Sequence, residues 1–324
     1  MPGLRFVAPE WRPVAHAISL SHALLRRSES DGLVRIAASI AEGPAVVLGS
    51  LERAGCSVNM EQAALRSVPV LRRATSGTAA YVGGKCLWWA LALPHGAALF
   101  SDAQPHTLLN RNVRPFLRGL KQAGIAAQYF GREWIALRHS PALLLGFECT
   151  RRGAVLLEAL LGVDEPVVLD KALKTQDEQT LDRLRGKACV ALRELSAISE
   201  LALFEAVLAA LSDQAGEEAR LDAVFEARER NEGMPVPIQH AFDPIPAYCN
   251  TLVNTKIPIG WLEAASGFLE DGSRAAWVGG DLLAPAWAIK EAAISGEIAE
   301  EIAMLGATPE DIRKILNALW AQAI

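Results

Sequence analysis

Val68-Pro69-Val70-Leu71-Arg72-Arg73-Ala74-Thr75-Ser76-Gly77-Thr78-Ala79-Ala80-Tyr81-Val82-Gly83-Gly84-Lys85-Cys86-Leu87-Trp88-Trp89-Ala90-Leu91-Ala92-Leu93-Pro94 is the stretch on which the reading of this chain turns. A short apolar run ends in two arginines, a loop of small residues follows, and a second apolar run leads away, which predicts strand, loop and strand. Small side chains let a ligand approach the backbone closely. Arg72 and Arg73 at the mouth of the loop offer fixed charge and forked donors suited to a carboxylate or phosphate. An ordinary hairpin with surface arginines fits the same residues, and neither P-loop nor dinucleotide spacing is met.

Composition limits what the loop can serve. With 324 residues and 51% apolar content, the chain can bury one large core and a smaller one, as a soluble globular protein does. A formal net charge of -5 leaves no broad basic face, which argues against nucleic acid as a partner. Cys56, Cys86, Cys149, Cys189 and Cys249 form no CxxC pair and are odd in number. Neither a metal site nor a disulfide framework is therefore expected, and a reducing cytoplasm fits. Pro2, Pro9 and Glu10 precede the first apolar run, and no later run is long enough for a bilayer. A signal peptide and a membrane anchor are not expected.

Upstream of the loop, residues 14–27 carry apolar positions at helical spacing, residues 44–50 read as a buried strand stopped by Gly49, and residues 60–66 as a short helix capped by Asn59. Downstream, residues 108–123 read as a helix ended by Gly124, and residues 125–130 and 134–137 as strands. Apolar runs at 143–146 and 153–163 flank Arg151 and Arg152 like a sheet hairpin, and residues 169–184 and 195–211 return to helical spacing. Residues 213–237 are charged and Pro-bearing and mark a boundary, with one linking helix over 217–230. Beyond it, residues 256–268 and 275–283 read as strands joined by Glu270-Asp271-Gly272-Ser273. Pro285 opens a helix through residue 293, and Thr308-Pro309-Glu310 starts the last one. The expected class is α+β: a mixed sheet flanked by helices over residues 1–213, a linker over 214–235, and a small α+β accessory domain over 236–324.

The order of these signals resembles the lipoate-protein ligases of the biotin and lipoate ligase superfamily. Gly43-Pro44-Ala45-Val46-Val47-Leu48-Gly49 with Val58-Asn59-Met60-Glu61 is similar to that family's opening strand and "evN-E" turn. Leu71-Arg72-Arg73-Ala74-Thr75-Ser76-Gly77 is similar to its Arg-Arg-x-Ser/Thr-Gly-Gly-Gly substrate loop. Asn110-Arg111-Asn112, Gly124-Ile125 and Gly131-Arg132 match the spacing of the elements that follow the loop. Ile257-Pro258-Ile259-Gly260-Trp261 and Gly280-Asp281-Leu282-Leu283 resemble the accessory domain's "tP-G" and "GDFF" signals. Together these stretches cover most of the chain.

The resemblance implies an adenylating enzyme: lipoate or octanoate and ATP with Mg give an acyl-adenylate, whose acyl group passes to a lysine on a carrier domain. It implies substrate-binding roles for Arg72, Arg73, Thr75, Ser76, Gly77, Thr78 and Tyr81. Three departures weigh against the chemistry. The loop's glycines and Tyr-His pair become Ser76-Gly77-Thr78, then Tyr81-Val82; the lysine-bearing Gly-Arg-Lys-Ile-x-Gly turn becomes Leu137-Arg138-His139-Ser140-Pro141-Ala142-Leu143; and His-Gly-Thr-Leu-Leu becomes Glu158-Ala159-Leu160-Leu161-Gly162. Losing a group that stabilises transition-state charge costs about 3–4 kcal/mol, and a carboxylate at 158 would repel phosphates. Arg138 or His139 could replace the lysine, though an exposed surface arginine next to a strand is the more frequent explanation.

Two expectations follow. In the first, the chain is a catalytically degenerate member, a pseudoenzyme that binds an acyl group, a lipoyl-type carrier protein or both, with an active ligase subunit as a further class of partner. In the second, it is an active lipoate or octanoate ligase, or an octanoyl or lipoyl transferase, working with substitute residues. Lys85 could reach a phosphate, and Cys149 could carry an acyl group if a base lay beside it. A solvated loop lysine and a buried inert cysteine are the plain alternatives for those two, and Cys86 is read like Cys149.

Overall fold

A computed structural model of the chain describes residues 2–104, 107–131, 133–175, 187–222, 249–257 and 260–289. It opens with β1 (Leu4–Pro13), α1 (Val14–Asp31) and β2 (Val34–Glu42), the two strands parallel and the helix crossing between them. Val14, Ala17, Ile18, Leu24, Leu25 and Ser28 of α1 are buried, one stripe at helical spacing. Gly32 ends α1 at φ 75°, donating its N–H to Ser28 O. β3 (Ala45–Leu48), α2 (Ala54–Ser57) and α3 (Met60–Leu65) follow, and the Asn59 side chain caps α3 by accepting the Gln62 N–H at 3.1 Å.

β4 (Val70–Arg72) lies parallel to β3, and β5 (Ala80–Val82) lies antiparallel on its other side, giving a small sheet of order β4-β3-β5. The strands flanking the loop therefore sit on opposite edges of β3, and the loop is no hairpin turn. β6 (Lys85–Leu93) then enters the main sheet. The helix expected over 108–123 is split into α4 (Leu108–Asn112) and α5 (Arg114–Gln122), because Pro115 has no N–H to give and suits only a first turn. β7 (Ala127–Tyr129), β8 (Trp134–Leu137), β9 (Ser140–Cys149) and β10 (Val155–Gly162) form an antiparallel meander, followed by α6 (Leu192–Leu195), α7 (Glu200–Ala215) and β11 (Arg220–Leu221). The main sheet has eight strands in the order β11-β1-β2-β6-β10-β9-β8-β7.

Successive side chains of a strand point to opposite faces, so Trp88 and Trp89 part company. Trp89, with Leu91, Leu145, Leu157 and Leu161, joins the core under Phe116 of α5 and Phe204 and Val207 of α7. Those helices touch at Gly119, where a Cβ would lie 2.5 Å from the Val207 Cα. Trp88, with Leu144 and Leu160, packs on the other face against Ile18 of α1 and Val47, Leu71 and Val82 of the small sheet. β12 (Cys249–Ile257), β13 (Gly260–Phe268) and β14 (Arg274–Gly280) make a separate antiparallel sheet, and residues 286–289 begin a helix after Pro285.

Several expectations are corrected. Instead of a helix from 169, a short 3-10 turn at Lys171–Leu173 leads to a bridge between Lys174 and Val58. Leu169 and Leu173 are drawn into the cluster of Val46, Val58 and Val68, and Leu173 O accepts the Asn59 N–H, which favours extended chain over helix. The later helix starts at a Ser199 cap and runs as α7 rather than over 195–211. Where a linking helix was expected from 217, β11 pairs with β1 and Asp222 is held by Arg35 at 2.8 Å, a tertiary pairing that overrides local pattern. The stretch 256–268 is the join of two strands, β12 and β13, with Ile257 opposite Gly260. Residues 176–186, 223–248 and 290–324, with most of the linker and the final helix, lie outside the described residues.

Candidate functional site

The loop between β4 and β5 is stitched to three other parts of the molecule. Against β3, Arg73 N donates to Leu48 O at 3.0 Å and Ser50 N to Thr75 O at 2.9 Å. Gly49 is pressed so close that a Cβ there would lie 2.0 Å from Gly77 O. Against β9, the Ser76 N–H and hydroxyl both donate to Phe147 O, at 2.9 and 2.7 Å. From the segment after β14, Leu282 O accepts the Gly77 N–H and Ala284 N donates to Ser76 Oγ, each at 2.9 Å. Gly77 takes φ 106°, a backbone conformation L side chains seldom adopt. The amides of Ser76 and Gly77 are thus already used by the protein itself.

Beneath the loop lies a buried charged cluster. Glu158 of β10 sits in register with Ala90 on one side and Gly146 on the other, two small residues that leave room above its carboxylate. Its Oε1 accepts the Trp88 indole N–H at 3.1 Å, and its Oε2 accepts the Thr75 hydroxyl. Arg73 Nε stands 3.9 Å from Oε2, and both side chains are fully buried. Burial pushes the Arg73 guanidinium below its ordinary pKa, opposed by the charges of Glu158 and Glu52. Arg73 Nη2 donates to Ser76 O and Thr78 O, each at 3.1 Å. Among the described residues Arg73 Nε and Nη1 have no hydrogen-bond acceptor, and the buried Ser50 Oγ has no partner either. Each such buried, unpaired group costs about 1–3 kcal/mol.

The two arginines were expected at the mouth of the loop as forked donors for a carboxylate or phosphate; in the structure Arg73 is fully buried and Arg72 half-buried. Arg72 Nη1 donates to Gly49 O at 3.1 Å, Ser50 O at 3.4 Å and Glu52 O, and ties down the turn after β3. Glu52 is itself buried, accepting the Gly49 N–H at 3.0 Å and the Ser57 hydroxyl at 2.9 Å. A short loop leaves its carbonyls without sheet partners, and guanidinium groups are the donors nearest to them.

Thr75, Ser76, Gly77 and Thr78 gather with Arg73, whereas Tyr81 does not: it packs with Met60 on the cluster of Val46, Val58 and Val68. Burial, then the charge of Glu165, raises the Tyr81 phenol pKa. Lys85 opens β6 with its ammonium 4.9 Å from the Trp11 ring centroid. Cys149 closes β9; its thiol donates to Thr150 O at 3.5 Å and its carbonyl accepts the Trp287 indole N–H at 2.5 Å. Cys86 is fully buried, and burial drives its thiol pKa up. Arg138 and His139 are exposed, at φ 47° and 76° in the turn from β8 to β9.

Sequence reading passed over Ser50, Glu52, Trp88 and Gly146, whose roles depend on what folds against them. It also passed over Glu263 of β13, which is buried and meets Arg53 Nη2 at 3.0 Å and the Cys56 thiol at 2.7 Å. Burial, then Glu263, pushes that thiol up to about 12. Among the described residues no group of three or more His, Cys, Asp or Glu could hold a metal ion, and no helix is long and apolar enough to cross a membrane.

No protein-family model matches the chain, and no curated protein does. Solved structures do. P. falciparum LipL1 in complex with lipoate superposes at a TM-score of 0.69 with 13% identity, over 99% of this chain and 100% of that one. A bi-partite lipoate protein ligase from Thermoplasma acidophilum, solved with its E2 lipoyl domain, gives 0.58 at 16% identity over 71% and 91%. Lipoate-protein ligase A bound with ATP gives 0.56 at 16% identity over 71% and 93%. The large mixed sheet flanked by helices and these superpositions agree, and the chain has the biotin/lipoate ligase fold.

Proposed function

We propose that this chain binds an acyl group without activating it as an adenylate, and that the acyl group reaches it on a lipoyl-type carrier domain. The observation that carries the proposal is Glu158, fully buried under the loop and held by Thr75, Trp88 and Arg73. An adenylating site must stabilise negative charge as it develops on phosphate and carbonyl oxygens. Here a fixed carboxylate faces the loop, and the turn where the resemblance would place a lysine holds Leu137 to Leu143. Lys85 lies over the Trp11 ring, and Cys149 bonds with Thr150 and Trp287.

Support for the acyl group and its carrier comes from the fold. One similar structure was solved with lipoate and another with an E2 lipoyl domain. The loop residues Thr75, Ser76, Gly77 and Thr78 remain together on the sheet. The test is lipoate-dependent exchange of pyrophosphate into ATP by the purified chain, with titration of an octanoylated carrier domain alongside. No exchange and saturable binding of the carrier are expected. Exchange at a rate typical of an enzyme would overturn the non-adenylating reading, and absence of carrier binding would overturn the binding half.

A further inference from the structure

We propose that residues 279–287 form a clasp on the loop, which holds the Gly77 amide and the Ser76 hydroxyl while docked and frees both in one opening event. The clasp stands independently of the acyl-binding reading. It begins at the end of β14, where Gly280 takes φ 120°, and meets in succession the turn after β3, the loop and the end of β9. Gly280 N donates to Leu51 O, Leu282 O accepts the Gly77 N–H and Ala284 N donates to Ser76 Oγ, each at 2.9 Å. Ala286, the first residue of the helix after Pro285, donates its N–H to the Glu148 carboxylate oxygens at 3.2 and 3.3 Å, and the Trp287 indole N–H donates to Cys149 O. Upstream, Glu263 of β13 ties the same sheet to Arg53.

Ser76 is the joint. Its hydroxyl gives its one proton to Phe147 O at 2.7 Å and takes the Ala284 N–H on a lone pair, so loop, β9 and clasp meet at a single oxygen. Leu282, Leu283 and Ala284 are buried, and Leu283 joins the core that holds Leu145 and Phe147. Its Cδ1 would stand 3.3 Å from a Cβ at Gly77. Lifting the clasp by one bond would leave a buried N–H or carbonyl without a partner, which disfavours intermediate positions. Full release returns these groups to water together and gives up the burial of Leu283. Loop and clasp therefore share two states, closed with the Ser76 and Gly77 groups taken, and open with both free.

The test is hydrogen exchange of the full chain in increasing urea below the unfolding transition, read by mass spectrometry on peptides covering residues 74–80, 279–287 and, as a reference, α1. In wild type the first two are expected to open with the same free energy and the same urea dependence, both below those of α1. Glu148→Gln and Trp287→Phe weaken the far end of the clasp and leave the loop residues in place. Each is expected to speed exchange in both peptides by one common factor, about tenfold, with α1 unchanged. A loop peptide that keeps its wild-type exchange while 279–287 speeds up overturns the clasp, as do unequal urea dependences of the two in wild type. The wild-type series decides the matter by itself if a variant loses its fold.

Discussion

Gly146 of β9 lies directly beneath Thr75 of the loop: a Cβ at 146 would stand 2.1 Å from Thr75 Oγ1 and 3.0 Å from Arg73 Nε. The absence of that one carbon lets the loop settle on the sheet and brings the Thr75 hydroxyl to Glu158, its neighbour across from Gly146. Loop, sheet and buried charge are thereby a single arrangement.

Gly146→Ala is accordingly expected to lift the loop or strain it, destabilising the fold by about 1–3 kcal/mol, the usual cost of overpacking a tight interior. Urea unfolding measures this. A midpoint equal to wild type would show that the loop does not rest on Gly146.

Glu158→Ala leaves the Arg73 guanidinium buried without its counter-charge. Breaking one side of a buried pair costs about 3–5 kcal/mol, whereas replacing both sides with apolar residues is often near neutral. Glu158→Leu combined with Arg73→Met should therefore be closer to wild type than Glu158→Ala alone. Additive destabilisation in the double variant would count against a coupled pair.

Asp31 gives a pH dependence of known sign. Burial pushes its carboxyl up, but hydrogen bonds from Arg35 at 2.7 and 2.6 Å, with the charges of Arg35 and Arg27, outweigh this and hold it below the usual 3.8. A depressed folded pKa contributes stability that is present above the unfolded value and is lost as pH falls through the folded one. Thermal melts of wild type and Asp31→Asn should therefore converge as pH drops below about 4. A gap between them that stays constant down to pH ~2 would contradict the linkage.

Cys56 should react slowly with iodoacetamide at pH ~8, since thiolate is the nucleophile and its thiol is pushed up to about 12. Glu263→Gln removes a neighbouring charge that disfavours the thiolate, and is expected to speed labelling, read by peptide mass spectrometry. Labelling of wild-type Cys56 at the rate of an unperturbed thiol would show that Glu263 does not hold it.

Much of the local structure was legible in the residues themselves. The Asn59 cap, the Gly124 end of the helix before β7 and the strands around Trp88 and Trp89 follow from capping chemistry, backbone freedom and alternation, all of which act within a few residues. The helix expected from 169 failed because Leu173 found partners on β3 and around Val58, which no local pattern announces. The class of fold was legible as well, through the order of motifs, and the superpositions agree with it.

Sequence by itself determined the inventory: two arginines, small loop residues, a carboxylate at 158, and no lysine from Leu137 to Leu143. Tertiary structure alone decided what those charges meet. Thr75 and Glu158 are 83 residues apart in the chain and bonded in space, and the Gly77 amide is taken by Leu282 from beyond β14. The physical reason is that hydrogen bonds and ion pairs act over a few ångströms, and which groups come that close is set by sheet register and by where a glycine leaves room, as Gly146 does beneath Thr75.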